Sequence, residues 1–335
     1  MRFRNLGASE ISASTVALGT WAIGGWMWGG TDRKASVKAI QAAIDNGINL
    51  IDTAPVYGFG MSEEFVGEAV ADRRDKVLIA TKCGLIWNAK KGVFFFPSNA
   101  DGISENSDRE VFRYLGRESI RQEVEESLRR LKTDHIDLLQ THWQDSTTPV
   151  AETMETLLEL KKEGKIRAIG VCNASIEQIE EYRKVGQLDC DQEKFSMIDR
   201  NQEKDGKLKY TEQNDIAVLC YSPLALGLLS GGISPERKFA QGDQRNTKER
   251  FSADNIRVVN SMLEEIKPLA SDRNITMAQL VIAWTLHQPG ITHALVGARS
   301  EKQAIENAQA GSIELSTEEL TFVNEIIAGY NKKII

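Results

Sequence analysis

From residue 15 to residue 298 the chain repeats one pattern eight times: a short run of β-branched and aliphatic residues, a loop, and then a segment with apolar residues at helical spacing. The runs are TVALGT (15–20), NLIDTA (49–54), VLIATK (77–82), HIDLLQTH (135–142), IRAIGVCN (166–173), LDCDQEKF (188–195), IAVLCYSP (216–223) and THALVGA (292–298). After the first run Val37, Ile40 and Ile44 share one helical stripe closed by Gly47, and Ile120, Val124, Leu128 and Leu131 make another. Strands that alternate with helices run parallel, because each crossover returns the chain to the same end of the sheet. Eight such units predict an α/β fold, a (β/α)8 TIM barrel, as a single domain over residues 1–335. An N-terminal β-hairpin (residues 2–13, turning at Leu6 to Ser9) and extra C-terminal helices complete the expectation. The rival, an open doubly wound sheet, calls for a GxGxxG turn after its first strand, and neither GGWMWGG (24–30) nor GFGMSE (58–63) has that spacing.

Composition narrows the classes further. With 41% apolar and 27% charged residues the chain can bury a large core, and a net charge of -7 gives no positive field for nucleic-acid backbones. Cys83, Cys172, Cys190 and Cys220 form no CxxC pair, which fits a reducing cytoplasm rather than a disulfide framework or zinc site. No secretory signal is evident at the N-terminus. The uncharged stretch 11–31 has the length of a membrane span, but it holds five glycines and reads as a strand running into a loop. No membrane and no nucleic-acid partner is therefore expected. Two insertions stand out, residues 83–117 with Phe94, Phe95 and Phe96, and residues 228–253; loops of that length are expected to be lids or disordered. Part of the second, 236–250, sets Arg237, Lys238, Arg245, Lys248 and Arg250 against Glu236, Asp243 and Glu249 and could close over phosphates.

In a barrel, reactive groups collect where strands end. Asp52 closes the second strand with Tyr57 five residues on, Lys82 closes the third and His142 the fourth. Singly, each could be a cap, a turn residue, half of an ion pair or a core imidazole; together they bring an acid, a phenol, an amine and an imidazole to one mouth. Such a set suits proton transfer to a carbonyl oxygen. A nearby ammonium favours phenolate, so Lys82 is expected to lower the Tyr57 pKa, with Asp52 keeping Lys82 charged and His142 orienting a substrate oxygen.

VALGTW (16–21), GINLIDTAPVYG (47–58), IATK (79–82), HIDLLQTHW (135–143), GKIRAIGVCN (164–173), YSPLALGLLSG (221–231) and VGARSEKQAIEN (296–307) together give the chain a resemblance to the aldo-keto reductases along nearly its full length. It is most similar to bacterial members related to potassium-channel β subunits. The resemblance implies Tyr57 as general acid/base, Asp52 and Lys82 as its partners and His142 as the orienting group. It also implies NADP(H) across the barrel mouth, with Tyr221 stacked on the nicotinamide and Asn173 and Gln192 on its carboxamide. Ser222, Pro223, Leu224 and Gly227 would lie near the pyrophosphate, while Gly19, Thr20, Trp21 and Asp52 line the first two strands' share of the cleft. Gly297, Arg299, Gln303, Glu306 and Asn307 would serve the adenosine end, with Arg299 on the 2'-phosphate. Phosphate sites after strands seven and eight, at a helix N-terminus, are independently common in barrels, and Ser300 is a plausible N-cap there. Against the family pattern, Cys172 stands in place of a usual Ser, and Phe195 and Ser196 replace a frequent Tyr-Asn pair.

The activity so implied is NADPH-dependent reduction of an aldehyde, ketone or open-chain sugar to an alcohol, a small-molecule substrate in each case. Trp21, Trp26, Trp28, Trp143 and the Phe94–Phe96 run could form an aromatic rim for it. The alternatives are a regulatory or redox-sensing barrel with little turnover and a Lys82 Schiff-base lyase. A metal hydrolase is disfavoured, since His135, His142, His287 and His293 show neither HxH nor HExxH spacing.

Overall fold

In a computed structural model describing residues 1–335, the chain opens with an antiparallel hairpin, β1 (Phe3–Asn5) and β2 (Ser12–Ser14). Then follow β3 (Val16–Gly19), α1 (Arg33–Asp45), β4 (Leu50–Asp52), α2 (Met61–Ala69), β5 (Leu78–Cys83), β6 (Leu85–Ile86), β7 (Val93–Ser98), β8 (Arg109–Arg113) and α3 (Arg117–Leu131). The next units are β9 (Ile136–Thr141), α4 (Val150–Lys162), β10 (Ile166–Cys172), α5 (Ile176–Val185), β11 (Cys190–Lys194), α6 (Asn201–Lys204), α7 (Lys207–Gln213) and β12 (Ala217–Tyr221). The chain ends with α8 (Ala253–Asp272), α9 (Met277–Leu286), β13 (His293–Gly297), α10 (Glu301–Ala310) and α11 (Thr317–Tyr330). Strands β3, β4, β5, β9, β10, β11, β12 and β13 close a parallel barrel, so all eight runs marked in the sequence are barrel strands. No helix is long and apolar enough to cross a membrane.

The barrel is a filled core. Alanines (Ala17, Ala80, Ala168, Ala217) and leucines (Leu50, Leu138, Leu219, Leu295) alternate around its interior, which keeps the total volume near what a closed eight-stranded barrel can hold. Its lower end is stopped by the hairpin, whose Leu6, Ile11 and Ala13 are buried in the same cluster. Gly7 makes this approach possible: its φ is +55°, and a Cβ there would lie 2.0 Å from the carbonyl oxygen of Asp189. Outside the strands the helices bury their stripes in a second layer, Ile40 from α1, Ile120 and Val124 from α3, and Met154 and Leu157 from α4. The extra helices α8 and α11 pack on one another through Val259, Leu263, Val323 and Ile327.

Of the two expectations for the first insertion, a lid or disorder, the fold matches the lid. It is neither structureless nor disordered but a three-stranded antiparallel sheet in the order β6-β8-β7, a flap over the top of the barrel. Its two roots are pinned, Gly84 N–H to the Glu123 carboxylate at 2.9 Å and Leu115 N–H to Asp145 at 3.0 Å. The Phe run supplies its packing: Phe96 stacks on Trp26, and Phe95 meets Trp143 at 5.3 Å. Trp26 is consequently buried, and Trp28 is buried against Trp21 and Arg245. The second insertion folds as short turns tied to the loop after β3, with Gln244 N–H on the Met27 carbonyl at 2.9 Å and the Arg245 guanidinium 4.9 Å from the Trp28 ring.

Two helical glycines give a test of this packing. A Cβ at Gly67 in α2 would lie 2.6 Å from the Arg130 carbonyl oxygen of α3, whereas one at Gly329 in α11 would meet nothing within 4 Å. Gly67→Ala is expected to cost about 1–3 kcal/mol through overpacking, and Gly329→Ala to add about 0.4–1 kcal/mol by restricting the unfolded chain. Urea unfolding midpoints of the two variants check the pair, and a stabilised Gly67→Ala protein would contradict the contact.

Candidate active site

Asp52 is the last residue of β4, and both of its carboxylate oxygens are occupied. Oδ1 accepts from Lys82 Nζ at 2.7 Å, and Oδ2 accepts from the side-chain amides of Gln192 at 2.9 Å and Gln140 at 3.2 Å. Lys82 also donates to the Thr53 carbonyl at 2.8 Å. Asp52 is 2% exposed and Lys82 1%, so the pair sits in a setting where an unmatched charge is costly. Burial pushes the lysine pKa down, but Asp52 and then Tyr57 outweigh it and hold that pKa above the ordinary value.

The turn after β4 carries Tyr57. It is pressed onto the loop after β3 by a glycine-to-glycine contact: a Cβ on Gly58, whose φ is +67°, would meet the Gly24 carbonyl oxygen at 2.4 Å, and one on Gly24 would meet the Tyr57 carbonyl at 2.8 Å. The Tyr57 ring lies 4.9 Å from Lys82 Nζ, edge-on to the His142 ring at 5.7 Å and stacked at 6.2 Å on Trp21. Below it, Ser62 bonds the hydroxyls of Thr20 and Thr53 at 2.7 and 2.9 Å, while Thr20 donates to the Asp52 carbonyl. All four residues expected to act together therefore meet at one end of the barrel.

The expected direction of the Tyr57 shift is overturned. Lys82 does pull the phenol down, but burial pushes harder, and the net value is pushed up to about 12. His142 falls well below the usual imidazole value, through burial and then through repulsion from Lys82, so its ring is neutral. The mouth thus holds one buried ammonium, a protonated phenol and a neutral imidazole, two of which can donate to an oxygen without changing net charge.

Across the mouth, Tyr221 ends β12 and its hydroxyl donates to Asn173 Oδ1 at 2.9 Å; Asn173, at φ +55°, donates in turn to the His142 carbonyl. Gln192 spends its amide nitrogen on Asp52 and Gln140, and its Oε1 makes no protein hydrogen bond. Beyond Tyr221 the backbone turns left-handed at Ser222, Ala225, Leu226 and Gly227, an uncommon run at about 1–3 kcal/mol for each non-glycine residue. Pro223 and Leu224 lie within it. Gly297 pairs in register with Gly19, and a Cβ on either would meet nothing nearer than 3.8 Å, with φ outside the left-handed region. Neither glycine is demanded by packing or by backbone conformation, and the missing side chains leave the backbone of both strand ends accessible to a cofactor lying across them.

At the far end Ser300 caps α10, its hydroxyl accepting from Gln303 N–H, as the sequence indicated. Gln303 turns back to accept from Arg299 N–H at 2.8 Å, Asn307 donates to the Gly297 carbonyl at 3.1 Å, and Glu306 stands on the same helix. The Arg299 guanidinium reaches across to the carbonyls of Trp28 and Gly30 at 3.0 and 2.5 Å, with no carboxylate partner.

Gln140 and Ser62 escaped the sequence reading. The signal for Gln140 was present, since strand alternation puts it on the same face as His142, a polar residue where an apolar one was due. Ser62 had no such mark. Cys172 lies beside this network, its Sγ 3.9 Å from Gln140 Oε1, and burial raises its thiol well above the ordinary pKa.

Among known proteins, the NADH-specific methylglyoxal reductase of Escherichia coli K12 is 42% identical over 299 residues, 88% of each chain. The solved structure of a glycerol dehydrogenase from Gluconobacter oxydans superposes with a TM-score of 0.86 at 40% identity, covering 99% of this chain and 97% of that one. An aldo-keto reductase from Klebsiella pneumoniae, solved in complex with NADPH, superposes with a TM-score of 0.72 at 27% identity, covering 99% and 96%. Residues 15–328 match the Aldo/keto reductase family. A closed parallel barrel that gathers Asp52, Tyr57, Lys82 and His142 at one end agrees with that match over nearly its whole length, and the chain belongs to the aldo/keto reductase family.

Proposed function

We propose that the protein is a cytoplasmic, NADP(H)-dependent carbonyl reductase acting on aldehydes, ketones or open-chain sugars. One observation carries the reading: a protonated phenol and a neutral imidazole stand edge to face at 5.7 Å beside a fully buried ammonium. When bound, the nicotinamide cofactor supplies the hydride. Tyr57 O–H gives its proton to the substrate oxygen, and His142 donates a hydrogen bond to the same atom and sets its position. Lys82 stabilises the negative charge that develops on the phenol oxygen, and Asp52 keeps Lys82 protonated. Asn173 and Gln192, through Oε1, orient the nicotinamide amide, with Tyr221 as its stacking face. Arg299, an arginine without a carboxylate partner next to a capped helix N-terminus, supports a 2'-phosphate and hence NADPH. The Klebsiella relative in its NADPH complex favours the same cofactor; the Escherichia coli relative's name favours NADH.

Three measurements test this. Tyr57→Phe should keep NADPH affinity and lose about 100- to 10,000-fold in kcat, the range for a removed general acid; near-normal turnover with chemistry rate-limiting would exclude the role.

Lys82→Met bears on direction. Since Lys82 draws the Tyr57 phenol downward, its removal raises that pKa further and the proton stays on to higher pH. Alcohol oxidation, which needs the phenolate, should then fall more than carbonyl reduction, and its rising limb should move to higher pH. With the wild-type phenol already pushed up to about 12, kcat/KM for oxidation should still be climbing up to about pH 10 in both proteins and lie lower in the variant at every pH, while reduction changes less; equal losses in both directions would leave Lys82 a structural part.

Arg299→Ala should weaken NADPH by about 10- to 150-fold, the equivalent of a lost charge-assisted hydrogen bond, and leave NADH binding unchanged. Dissociation constants at one fixed ionic strength decide it. Equal weakening of both would make Arg299 a loop strap alone, and a wild type that prefers NADH would overturn the NADPH assignment.

A further inference from the structure

The inner face of the flap carries charge that the chemistry above does not use. Along β8 alternate side chains point the same way, and Val111 fixes which way that is: it is buried with Ala54 and Val56, in the cluster against which Tyr57, Trp87, Phe95 and Trp143 pack. Its neighbours two residues away on that face are Arg109 and Arg113. Arg109 lies 4.5 Å from the Phe59 ring and has an acid within reach, Asp108 at 3.8 Å. Arg113 has none. Its guanidinium lies 5.2 Å from the Phe95 ring centroid, its buried Nε has no hydrogen-bond partner, and the flap's nearby acid, Glu110, is already paired with Lys90.

An arginine over an aromatic ring keeps its donors, because the N–H bonds lie in the guanidinium plane and the ring faces that plane. Phe95 in turn meets the Trp143 ring at 5.3 Å, and Trp143 follows His142 directly in the chain. A donor fork without a counterion therefore stands beside Phe95, in the aromatic cluster that also packs Trp143 and the acid Tyr57, in a protein whose net charge of -7 repels anions elsewhere. We infer that Arg113 binds an anionic group on the substrate, so that the preferred carbonyl compounds carry a carboxylate or a phosphate at the end remote from the reacting carbon. Resting on the carbonyl-reductase reading, this assigns the site a substrate class.

The test uses matched pairs that differ in the anionic group, butanal against succinic semialdehyde and glyceraldehyde against glyceraldehyde 3-phosphate, with wild type, Arg113→Met and Arg113→Lys. The wild type should prefer the charged member of at least one pair, and which pair responds separates carboxylate from phosphate. Arg113→Met should lose about 10- to 150-fold in kcat/KM for that charged member, chiefly through KM, and leave its uncharged partner unchanged. Arg113→Lys, keeping the charge but not the fork, should recover part of the loss. Added salt should narrow the preference. No preference for either charged member in the wild type, or an equal loss for both members of a pair in Arg113→Met, would overturn the inference and leave the reductase reading standing. If no carbonyl is reduced at all, that reading fails instead, and saturable quenching of tryptophan fluorescence by succinate or inorganic phosphate, present in wild type and absent in Arg113→Met, still decides whether the anion site exists.

Discussion

The ion pair between Asp52 and Lys82 is the contact on which the rest of the site depends. Two charges taken almost fully out of water persist only if every lone pair and proton is matched. Here the matching groups come from four different strands: Lys82 from β5, Gln140 from β9, Gln192 from β11, and Asp52 itself from β4. A slip of one residue in any of these strands would turn its polar side chain to the outer face and leave a buried group without a partner. The pair thus does for register what the alternating alanines and leucines lower in the barrel do for volume. It also shapes the electrostatics of the mouth, since the same ammonium that needs Asp52 adds its repulsion to the burial that keeps His142 neutral.

Much of this was legible in the sequence, and the reasons differ by element. The eight barrel strands could be read because a parallel strand buried on both faces must be apolar and β-branched nearly throughout, and a polar residue at its end then stands out; Asp52, Lys82 and His142 were found in that way. Ser300 was found because an N-cap is a local device. The flap was not, for its strands span two to six residues, the Phe run has no alternation, and a bulge between Phe94 and Phe96 shifts its register. The sign of the Tyr57 shift failed for another reason: Lys82 could be seen in the sequence, whereas burial belongs to the packed molecule. The same holds for Arg299, whose carbonyl partners lie about 270 residues away along the chain.

Packing and strain are divided unevenly over the barrel. The lower half is closely filled by apolar side chains of the strands and the hairpin. The upper half holds the left-handed run after β12, the paired glycines of β3 and β13, and Arg113 without a counterion. Such departures from local rules gather where a structure is shaped for something outside itself.

The hairpin that stops the lower end of the barrel has a consequence for how the molecule is assembled. Leu6, Ile11 and Ala13 are among the first residues of the chain, yet the space they fill is bounded in part by Leu295 of the final strand. Arg2 and Arg4 add contacts to Glu314 and to the Ile291 carbonyl, nearly the full length of the sequence away. Contacts of such separation carry the largest loop-closure entropy and form late. The plug therefore has its complete docking surface only once β13 has closed the ring. Closure of the barrel and docking of the hairpin are thereby coupled, the hairpin acting as a bolt that holds the completed ring.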